Sequence, residues 1–245
     1  MNFLKRIPVV KRLYPALLKH WALLSSCDGY KVQRYQGLLW LLNYRNFVDR
    51  QVGVFGGFEQ AQVSYLLSQM SKADAFIDIG ANFGLYTLQI AKSGRASEIH
   101  AFEPDPRNYA QLSGNLYLNK MTGQVKTHAF AVSDHGGALS FKMYPDTSTG
   151  QSRVSTEDGG TSLQAVTLDE TFPWQGRNIF LKIDIEGHEL AALKGGEKLL
   201  RANTCFLQVE IFPENIKPVQ KFLNDAGYQQ THQIDQDYYF RKVIP

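Results

Sequence analysis

Four acidic residues of the sequence lie near the ends of β-rich, apolar runs. They are Asp78, Glu103, Asp184 and Glu186. In an open α/β sheet, ligands bind outside the carboxyl ends of the strands, where the strand order reverses. We therefore expect the four carboxylates to surround one crevice. Such a crevice favours a ligand with net positive charge and repels a pyrophosphate.

A glycine turn follows the first of these runs, with Asp78, Gly80, Ala81, Asn82 and Gly84 in the sequence DIGANFG. Gly80 and Gly84 lack a Cβ, so the backbone can turn tightly and approach a ligand closely. The helix expected after the turn offers unpaired N–H donors. The pattern predicts that all five residues bind a nucleoside cofactor. A plain structural turn is the alternative, because glycine is common in turns.

Glu103, the second of the four acidic residues, indicates which kind of nucleoside binds. The Glu103 carboxylate has two acceptor oxygens and could bind both ribose hydroxyls. A dinucleotide site prefers glycine where this chain has Asn82, and an acidic crevice is unfavourable for a diphosphate. S-adenosylmethionine is a net cation, because its sulfonium and ammonium groups outweigh one carboxylate. We therefore predict that it is the cofactor, and that NAD-dependent oxidation is the alternative.

Two further positions are candidates for cofactor contacts. Ser133 and Asp134 follow the third β-rich run, where an adenine edge would lie. Asp134 could instead cap the turn that follows. Asp184 is predicted to contact cofactor or substrate. Lys182 lies two residues before Asp184 and shares its strand face, so a structural ion pair is the alternative role for Lys182.

Methyl transfer to an alcohol needs a general base, because an alcohol is a poor nucleophile until its proton is leaving. His188 is the first candidate, since an unperturbed imidazole titrates near neutral pH. Asp184 and Glu210 are the alternatives, and His188 could simply be a first-turn helix residue. The sequence has no H-x-x-H motif and only two cysteines, so no metal is expected.

β-rich runs alternate with helical stretches from residue 75 onward, which is typical of a mostly parallel sheet. The predicted strands are 75–80, 98–104, 125–132, 179–187 and 205–212, and the helices are 84–93, 105–120, 189–202 and 215–226. Two extended segments flank a polar loop at 146–162, and a hairpin ends the chain. The prediction is a doubly wound α/β fold with a seven-stranded sheet of the class I methyltransferase type.

The first part of the chain differs in charge from the rest. Residues 1–50 contain nine basic and two acidic side chains, giving +7, so a net charge of +3 leaves −4 for the remainder. We expect 1–70 to be a mostly helical extension or lid and 71–245 to be the catalytic domain. Because Pro8 and Pro15 limit helices, residues 1–24 should form two short segments. These segments either contact an anionic membrane surface or pack on the catalytic domain.

Four motifs together resemble the FkbM family of methyltransferases. They are DIGANFG at 78–84, FEPDP at 102–106, AVSD at 131–134 and KIDIEGHE at 182–189. The resemblance covers about residues 75–212. It implies transfer of a methyl group from S-adenosylmethionine to a hydroxyl of a sugar, glycolipid or polyketide-type product. The resemblance leaves the acceptor open, because acceptors vary within the family and residues 1–70 and 140–165 are particular to this chain.

Two alternatives lie outside this assignment. A cofactor-binding scaffold without turnover fits the same motifs. A nucleic-acid substrate is not expected, because the catalytic part is acidic and the basic leader lacks interleaved aromatic residues.

Low cysteine content favours a reducing compartment. The expected location is therefore the cytoplasm, either free or in contact with the inner face of a membrane. The sequence leaves the oligomeric state open.

Overall fold

A computed structural model describes residues 8–155 and 160–243, and side chains from residue 16 onward. The chain divides into two compact units. The first contains the chain up to Phe58 together with Pro145–Ser148, and the second contains Glu59–Tyr144 and the chain from Thr149 onward. The predicted boundary lies after residue 70, whereas this division falls at Glu59.

The first unit has a long helix followed by a β-hairpin. Its elements are α1 (Pro8–Leu24), β1 (Tyr30–Tyr35), β2 (Leu38–Asn43) and α2 (Phe47–Gly53). The prediction of a mostly helical extension is wrong for the hairpin. Gln36 and Gly37 form its two-residue turn, and both have positive φ (47° and 77°), as the right-handed twist of a tight hairpin requires.

Helix α1 also corrects the prediction of two short segments. Pro8 is its first residue, where a missing N–H is unpaired in any helix. Pro15 removes one internal hydrogen bond, but its fixed φ is compatible with a helix and the helix continues past it. The first seven residues of the predicted segments lie outside the described residues. None of the helices in the described part of the chain combines the length and apolarity needed to cross a membrane.

The second unit alternates strands and helices. Up to the insert, its elements are α3 (Gln60–Gln69), β3 (Ala73–Ile79), α4 (Leu85–Ser93), β4 (Ala96–Phe102), α5 (Pro106–Leu118) and β5 (Val125–His128). The insert contains β6 (Ala131–Val132), β7 (Gly137–Lys142), β8 (Arg153–Val154) and β9 (Thr161–Val166). The remainder contains α6 (Leu168–Thr171), β10 (Asn178–Ile183), α7 (Glu189–Lys194), α8 (Glu197–Ala202), β11 (Thr204–Glu210), α9 (Ile216–Asp225), β12 (Tyr228–Ile234) and β13 (Asp237–Lys242).

The main sheet has seven strands in the order β12-β13-β11-β10-β3-β4-β5. The five strands from β11 to β5 are parallel, and β13 runs antiparallel between β11 and β12. The strand order reverses between β3 and β10, which both continue directly into turns. The predicted doubly wound fold with a terminal hairpin is confirmed, and its switch point lies at the predicted glycine turn.

The third predicted strand, 125–132, is two strands in two sheets. β5 pairs with β4 only as far as His128, because β4 ends at Phe102. Beyond that point the main sheet offers no further partner, and β6 pairs with β9 instead. The backbone N–H of Ser133 donates to Val166 O at 3.0 Å. β6 therefore belongs to a four-stranded insert sheet of order β6-β9-β7-β8.

Gly195 and Gly196 divide the predicted helix after β10 into α7 and α8. A Cβ on Gly195 would lie 1.9 Å from the backbone oxygen of Ser133. A side chain at this position would therefore clash with the segment that follows β6. The pair of glycines lets the helix approach the end of the insert sheet closely, next to the cleft described below.

Candidate active site

An open cleft lies at the carboxyl ends of β3, β4 and β10, with about 560 Å³ of empty space that includes open solvent. Five of the predicted site residues line the cleft: Gly80, Asn82, Glu103, Asp184 and His188. Glu186, expected at the same crevice, lines it as well. The strand ends therefore bring together residues that are far apart in sequence.

Glu103 is held in the cleft by two backbone donors. The N–H of Asn82 donates to Glu103 Oε2 and the N–H of Asp105 donates to Oε1, both at 2.8 Å. Asn82 has a φ of 51°, and this left-handed backbone directs its N–H toward the carboxylate. Burial raises the pKa of Glu103 to about 7, although both N–H donors act to lower it. Each oxygen keeps further acceptor capacity for a ligand hydroxyl.

Gly80 allows the closest approach between β3 and β10. Its φ is 82°, and a Cβ would lie 1.8 Å from the backbone oxygen of Asp184.

Two other predicted residues of the turn lie behind the cleft wall. Ala81 is buried, and its N–H donates to Phe102 O at 2.9 Å. Gly84 packs against Leu112 of α5. Neither lines the cleft, and their predicted contact with a cofactor stays a prediction.

Asp78 is likewise a positioning residue and does not line the cleft. Its Oδ2 accepts hydrogen bonds from the N–H and the hydroxyl of Thr87, at 3.1 and 2.5 Å. Burial raises the pKa of Asp78, although Lys182 and Thr87 act to lower it. The carboxylate therefore fixes α4 against β3. Its predicted contact with a cofactor stays a prediction.

Asp184 forms a hydrogen-bonded ion pair with Lys182, at 3.0 Å between Oδ2 and Nζ. Burial raises the pKa of Asp184, but the Lys182 charge and a hydrogen bond from Glu210 more than offset this, so the pKa is lowered. The charge of Asp184, followed by burial, raises the pKa of Glu210. Asp184 is therefore the anion of this pair, and the proton lies on Glu210.

Three carboxylates could together hold a metal ion. Single oxygens of Asp184, Glu186 and Glu210 lie within 4.8 Å of one another. Burial and the charge of Asp184 raise the pKa of Glu186 to about 7. The Lys182 ammonium already occupies one side of Asp184. The expectation that the chain needs no metal remains a prediction.

His188 lines the cleft and is oriented by Ser133. Its Nε2 and the Ser133 hydroxyl are 2.9 Å apart. Burial lowers the pKa of His188, so the ring is neutral at neutral pH and can accept a proton. Ser133 is fully buried and absent from the cleft lining, so it positions His188. Its predicted contact with the cofactor stays a prediction.

Asp134 lies outside the cleft lining, and its predicted contact with the cofactor stays a prediction. Its side chain is 45% exposed and pairs with His135 Nδ1 at 2.6 Å. The His135 hydrogen bond is the main reason that the pKa of Asp134 is lowered. The carboxylate lies outside the cleft lining. The chain leaves β6 at this point, so the side chain projects into solvent.

Two groups of site residues were missed by sequence reasoning. The first group lines the cleft from the insert and comprises Phe141, Thr149, Gly150, Ser152 and Val154. The second group lies near Lys182 and Asp184 and comprises Glu59, Tyr86, Gln208 and Asp237. Sheet register could have found Gln208, because it pairs with Lys182. No sequence signal connects Glu59 to this group.

Comparison with known proteins agrees with this geometry. Residues 78–230 match the methyltransferase FkbM domain. The chain is 31% identical over 173 residues to the hexuronic acid methyltransferase AglP of Haloferax volcanii, covering 69% of each chain. It is 29% identical to the methyltransferase sdnD of Sordaria araneosa, covering 68% of this chain and 78% of that one.

A third relative and a solved structure complete the comparison. The 31-O-demethyl-FK506 methyltransferase FkbM of Streptomyces tacrolimicus is 33% identical over 78 residues, or 32% of this chain and 29% of that one. The crystal structure of methyltransferase FkbM from Methylobacillus flagellatus shares the fold, with a TM-score of 0.51 and 18% identity. That match covers 69% of this chain and 43% of the other, less than half of its length. The domain match spans more than half of the present chain, which therefore belongs to the family of FkbM-domain methyltransferases.

Proposed function

We propose that the protein transfers a methyl group from S-adenosylmethionine to a hydroxyl of a sugar, glycolipid or natural-product acceptor. The observation that carries this proposal is the Glu103 carboxylate, buried at the end of β4 and oriented into the cleft by two N–H donors. A carboxylate fixed in this way suits the two adjacent hydroxyls of a ribose.

The donor set of the cleft also suits a cationic nucleoside. Asp184 is an anion at the carboxyl end of β10, and Glu186 adds a second carboxylate. A sulfonium and an ammonium group are favoured beside these charges, whereas a pyrophosphate is repelled. When bound, S-adenosylmethionine supplies an electrophilic methyl group. The rest of the catalysis is alignment and removal of one proton, both of which fall to side chains of the cleft.

His188 is the proposed general base. It lines the cleft, it is neutral because burial lowers its pKa, and its ring is fixed by Ser133. Asp184 is the alternative base, since it is anionic but already paired with Lys182. Glu210 is a weaker candidate, because its raised pKa keeps it protonated.

The acceptor class is supported by the relatives. One is called a hexuronic acid methyltransferase and another a 31-O-demethyl-FK506 methyltransferase. Both names describe acceptors with many oxygens. Mass spectrometry of lipid and glycan extracts, with and without the gene, should reveal the acceptor as a species that loses a 14-dalton increment, the mass a methyl group adds in place of hydrogen. Unchanged extracts would argue against a glycan or lipid acceptor.

Isothermal titration with S-adenosylhomocysteine tests the cofactor assignment. We expect binding by the wild type, and Glu103→Ala should weaken it by roughly 1–3 kcal/mol, the scale of lost hydrogen bonds to a charged group. Asp134→Ala is the matched control, because that acid is exposed and outside the cleft. Tight NADH binding without a response to S-adenosylhomocysteine would sink the assignment.

The base is tested by His188→Ala. If His188 removes the acceptor proton, turnover should fall by roughly 10²–10⁴-fold, with cofactor affinity nearly unchanged. Normal turnover would transfer the role to Asp184. Loss of S-adenosylhomocysteine binding would instead show that His188 has a structural role.

A further inference from the structure

Glu186 is presented to the cleft by the turn that follows β10. Its side chain lines the cleft, and its backbone φ is 56°, in the left-handed region. Glutamate rarely adopts this conformation, because its Cβ comes too close to the carbonyl oxygen that follows. The backbone is therefore strained at this residue. Strained residues persist where surrounding contacts hold them, and they are concentrated at functional sites.

Two side chains hold the turn around Glu186 in place. Glu189 Oε1 accepts the N–H of Gly187 at 2.7 Å, and Asn215 Nδ2 donates to Gly187 O at 3.3 Å. Glu189 is the first residue of α7 and is 1% exposed. Gly187 also has positive φ, at 102°. Because the contacts fix the peptide groups on both sides of Gly187, Glu186 keeps a conformation that it would otherwise avoid.

The Glu186 carboxylate has no hydrogen-bond donor among the described residues. Two other carboxylates that line the cleft do have donors. Glu103 accepts two backbone N–H groups, and Asp184 accepts from Lys182 Nζ at 3.0 Å. Arg153 of β8 acts on Glu186 only at longer range, since no ion pair joins the two in the part of the chain that the structure describes. The carboxylate is therefore available to a ligand.

The charges beside Glu186 are already balanced. Lys182 neutralises Asp184, and Glu210 holds a proton. Among the described residues at this side of the cleft, Glu186 is left without a directly paired counter-charge. Burial and the charge of Asp184 raise its pKa to about 7, as expected where the ionised form lacks a partner. One uncompensated charge suits a monovalent cation better than a divalent metal ion, which takes several charged oxygens.

The missing partner of Glu186 has to supply hydrogen-bond donors as well as charge. A carboxylate accepts at both oxygens. An ammonium group offers three N–H donors and a positive charge, whereas a sulfonium offers the charge alone. A hydroxyl of the acceptor would donate but would leave the charge unbalanced. Of the groups expected in the cleft, an ammonium therefore matches this carboxylate most completely.

We propose that Glu186 is the cofactor-binding residue that pairs with the ammonium group in the methionine part of S-adenosylmethionine. This inference rests on the proposed function and deepens it. β4 and β10 flank β3 on opposite sides, so Glu103 would hold the ribose on one side of the glycine turn and Glu186 the amino acid on the other. The strained turn fixes the carboxylate beforehand, which lowers the entropy cost of binding.

Isothermal titration of the full chain, in the presence of EDTA, tests this pairing. S-adenosylmethionine and S-adenosylhomocysteine both have the ammonium group, whereas 5′-methylthioadenosine lacks the amino acid, and saturation-transfer NMR follows its weaker binding. Glu186→Gln keeps the shape of the side chain and removes the charge. It should weaken binding of the first two ligands by about tenfold or more, as loss of a hydrogen bond to a charged group does. Binding of 5′-methylthioadenosine should change by less than about twofold, because it has no ammonium group to lose.

Glu214→Gln is the matched control for loss of charge. Glu214 precedes Asn215 and is near the same turn, but it is exposed and absent from the cleft lining. Solvent and salt screen an exposed charge, so this variant should bind all three ligands within about twofold of the wild type.

Glu186→Gly separates the strain from the charge. Glycine adopts a left-handed backbone without steric cost. This variant should therefore melt about 1–4 °C above the wild type, while it loses affinity for S-adenosylhomocysteine as Glu186→Gln does. A lower melting temperature together with equal loss of all three ligands would show that Glu186 supports the fold, and would overturn the proposal.

The failures of the two proposals are distinguishable. If the wild type binds S-adenosylhomocysteine and Glu186→Gln binds all three ligands equally well, the role of Glu186 is wrong and the proposed function stands. A loss confined to S-adenosylmethionine also overturns the role, because the carboxylate would then pair with the sulfonium. If the wild type binds neither S-adenosylmethionine nor S-adenosylhomocysteine, the proposed function fails.

Discussion

Gly80 is the residue on which the cleft geometry depends most directly. A Cβ at this position would lie 1.8 Å from Asp184 O, and φ is 82°. We expect Gly80→Ala to lower the free energy of unfolding by roughly 2–4 kcal/mol, because strain and overpacking combine. Urea denaturation measures this loss.

Gly94→Ala provides the control for Gly80→Ala. Gly94 also has positive φ, at 64°, but a Cβ there would have no heavy atom within 4 Å. Its replacement should cost only about 1–2 kcal/mol, the strain of the left-handed backbone alone. Equal losses in the two variants would show that the approach of β3 to β10 is not tight.

Glu103 should make cofactor affinity depend on pH. Burial raises its pKa to about 7, so the free protein is partly protonated at this group below neutral pH. Protonation removes acceptor capacity for the ribose hydroxyls. Affinity for S-adenosylhomocysteine should therefore fall as pH decreases from 8 to 6, by about tenfold per unit at most. The same titration on Glu103→Gln should be shallower over this range, and the dependence that remains is expected from Glu186, whose pKa is also raised to about 7.

Some site residues could be predicted from the sequence and others could not. Glu103, Asp184 and His188 could be assigned to the cleft because each follows or ends a strand. The hydrogen bond that Asp78 accepts from Thr87 could not be predicted, since strand position alone does not show where a side chain points. The role of Ser133 depended on a hydrogen bond to a residue 55 positions away, which no local pattern contains.

A pair of histidines connects two neighbouring strands of the main sheet. His100 of β4 and His128 of β5 have ring nitrogens 3.0 Å apart, and His128 stacks on Phe102. One ring must donate and the other accept, so the pair is intact only while at least one ring is neutral. Burial lowers the pKa of His100, and burial together with the His100 charge lowers that of His128 to about 4.

Acid should therefore weaken the edge of the sheet. The unfolded chain binds protons at these histidines near pH 6.5, before the folded chain does. Their contribution to stability is complete above about pH 6.5 and is lost as pH falls toward about 4. We expect His128→Phe, which retains stacking on Phe102, to show a shallower decrease in melting temperature across this window. An unchanged slope would exclude the pair as the cause.

At the element scale, the regular βα units of the second compact unit could be predicted because their apolar runs and glycine turns are local signals. The hairpin β1–β2 was missed, since its apolar run LLWLLN is equally compatible with a helix. The division between β5 and β6 was missed because it depends on β9, about thirty residues downstream. The insert sheet forms by pairing between segments that are distant in sequence. The residues with which this sheet lines the cleft could therefore not be predicted from local patterns.

At the scale of the whole molecule, the uneven distribution of charge and exposed apolar surface remains to be explained. The first fifty residues carry +7 and the remainder −4. In α1, Leu17, Trp21 and Leu24 are 66%, 61% and 75% exposed. Their spacing places them on one face of the helix. The sequence left membrane contact and packing on the catalytic domain as alternatives, and experiments on α1 can separate them.

Sedimentation with lipid vesicles tests this role. The exposed apolar face can enter the headgroup region while basic residues contact anionic lipids, each contributing on the order of 1 kcal/mol. We expect the full chain to sediment with phosphatidylglycerol vesicles at low salt, less at high salt, and not with phosphatidylcholine. Replacing Leu17, Trp21 and Leu24 together by serine should abolish binding. Tyr117→Ser is the matched control, because Tyr117 is 76% exposed on α5.

The alternative, packing of the leader, predicts a different pattern. The full chain would stay in the supernatant with either lipid, and deletion of residues 1–24 would lower the melting temperature by several degrees, as loss of buried apolar area does. If the deletion abolishes sedimentation and leaves the melting temperature unchanged, the leader is a membrane contact. That result would favour a lipid-linked sugar as acceptor, because the enzyme and its substrate would then share one surface.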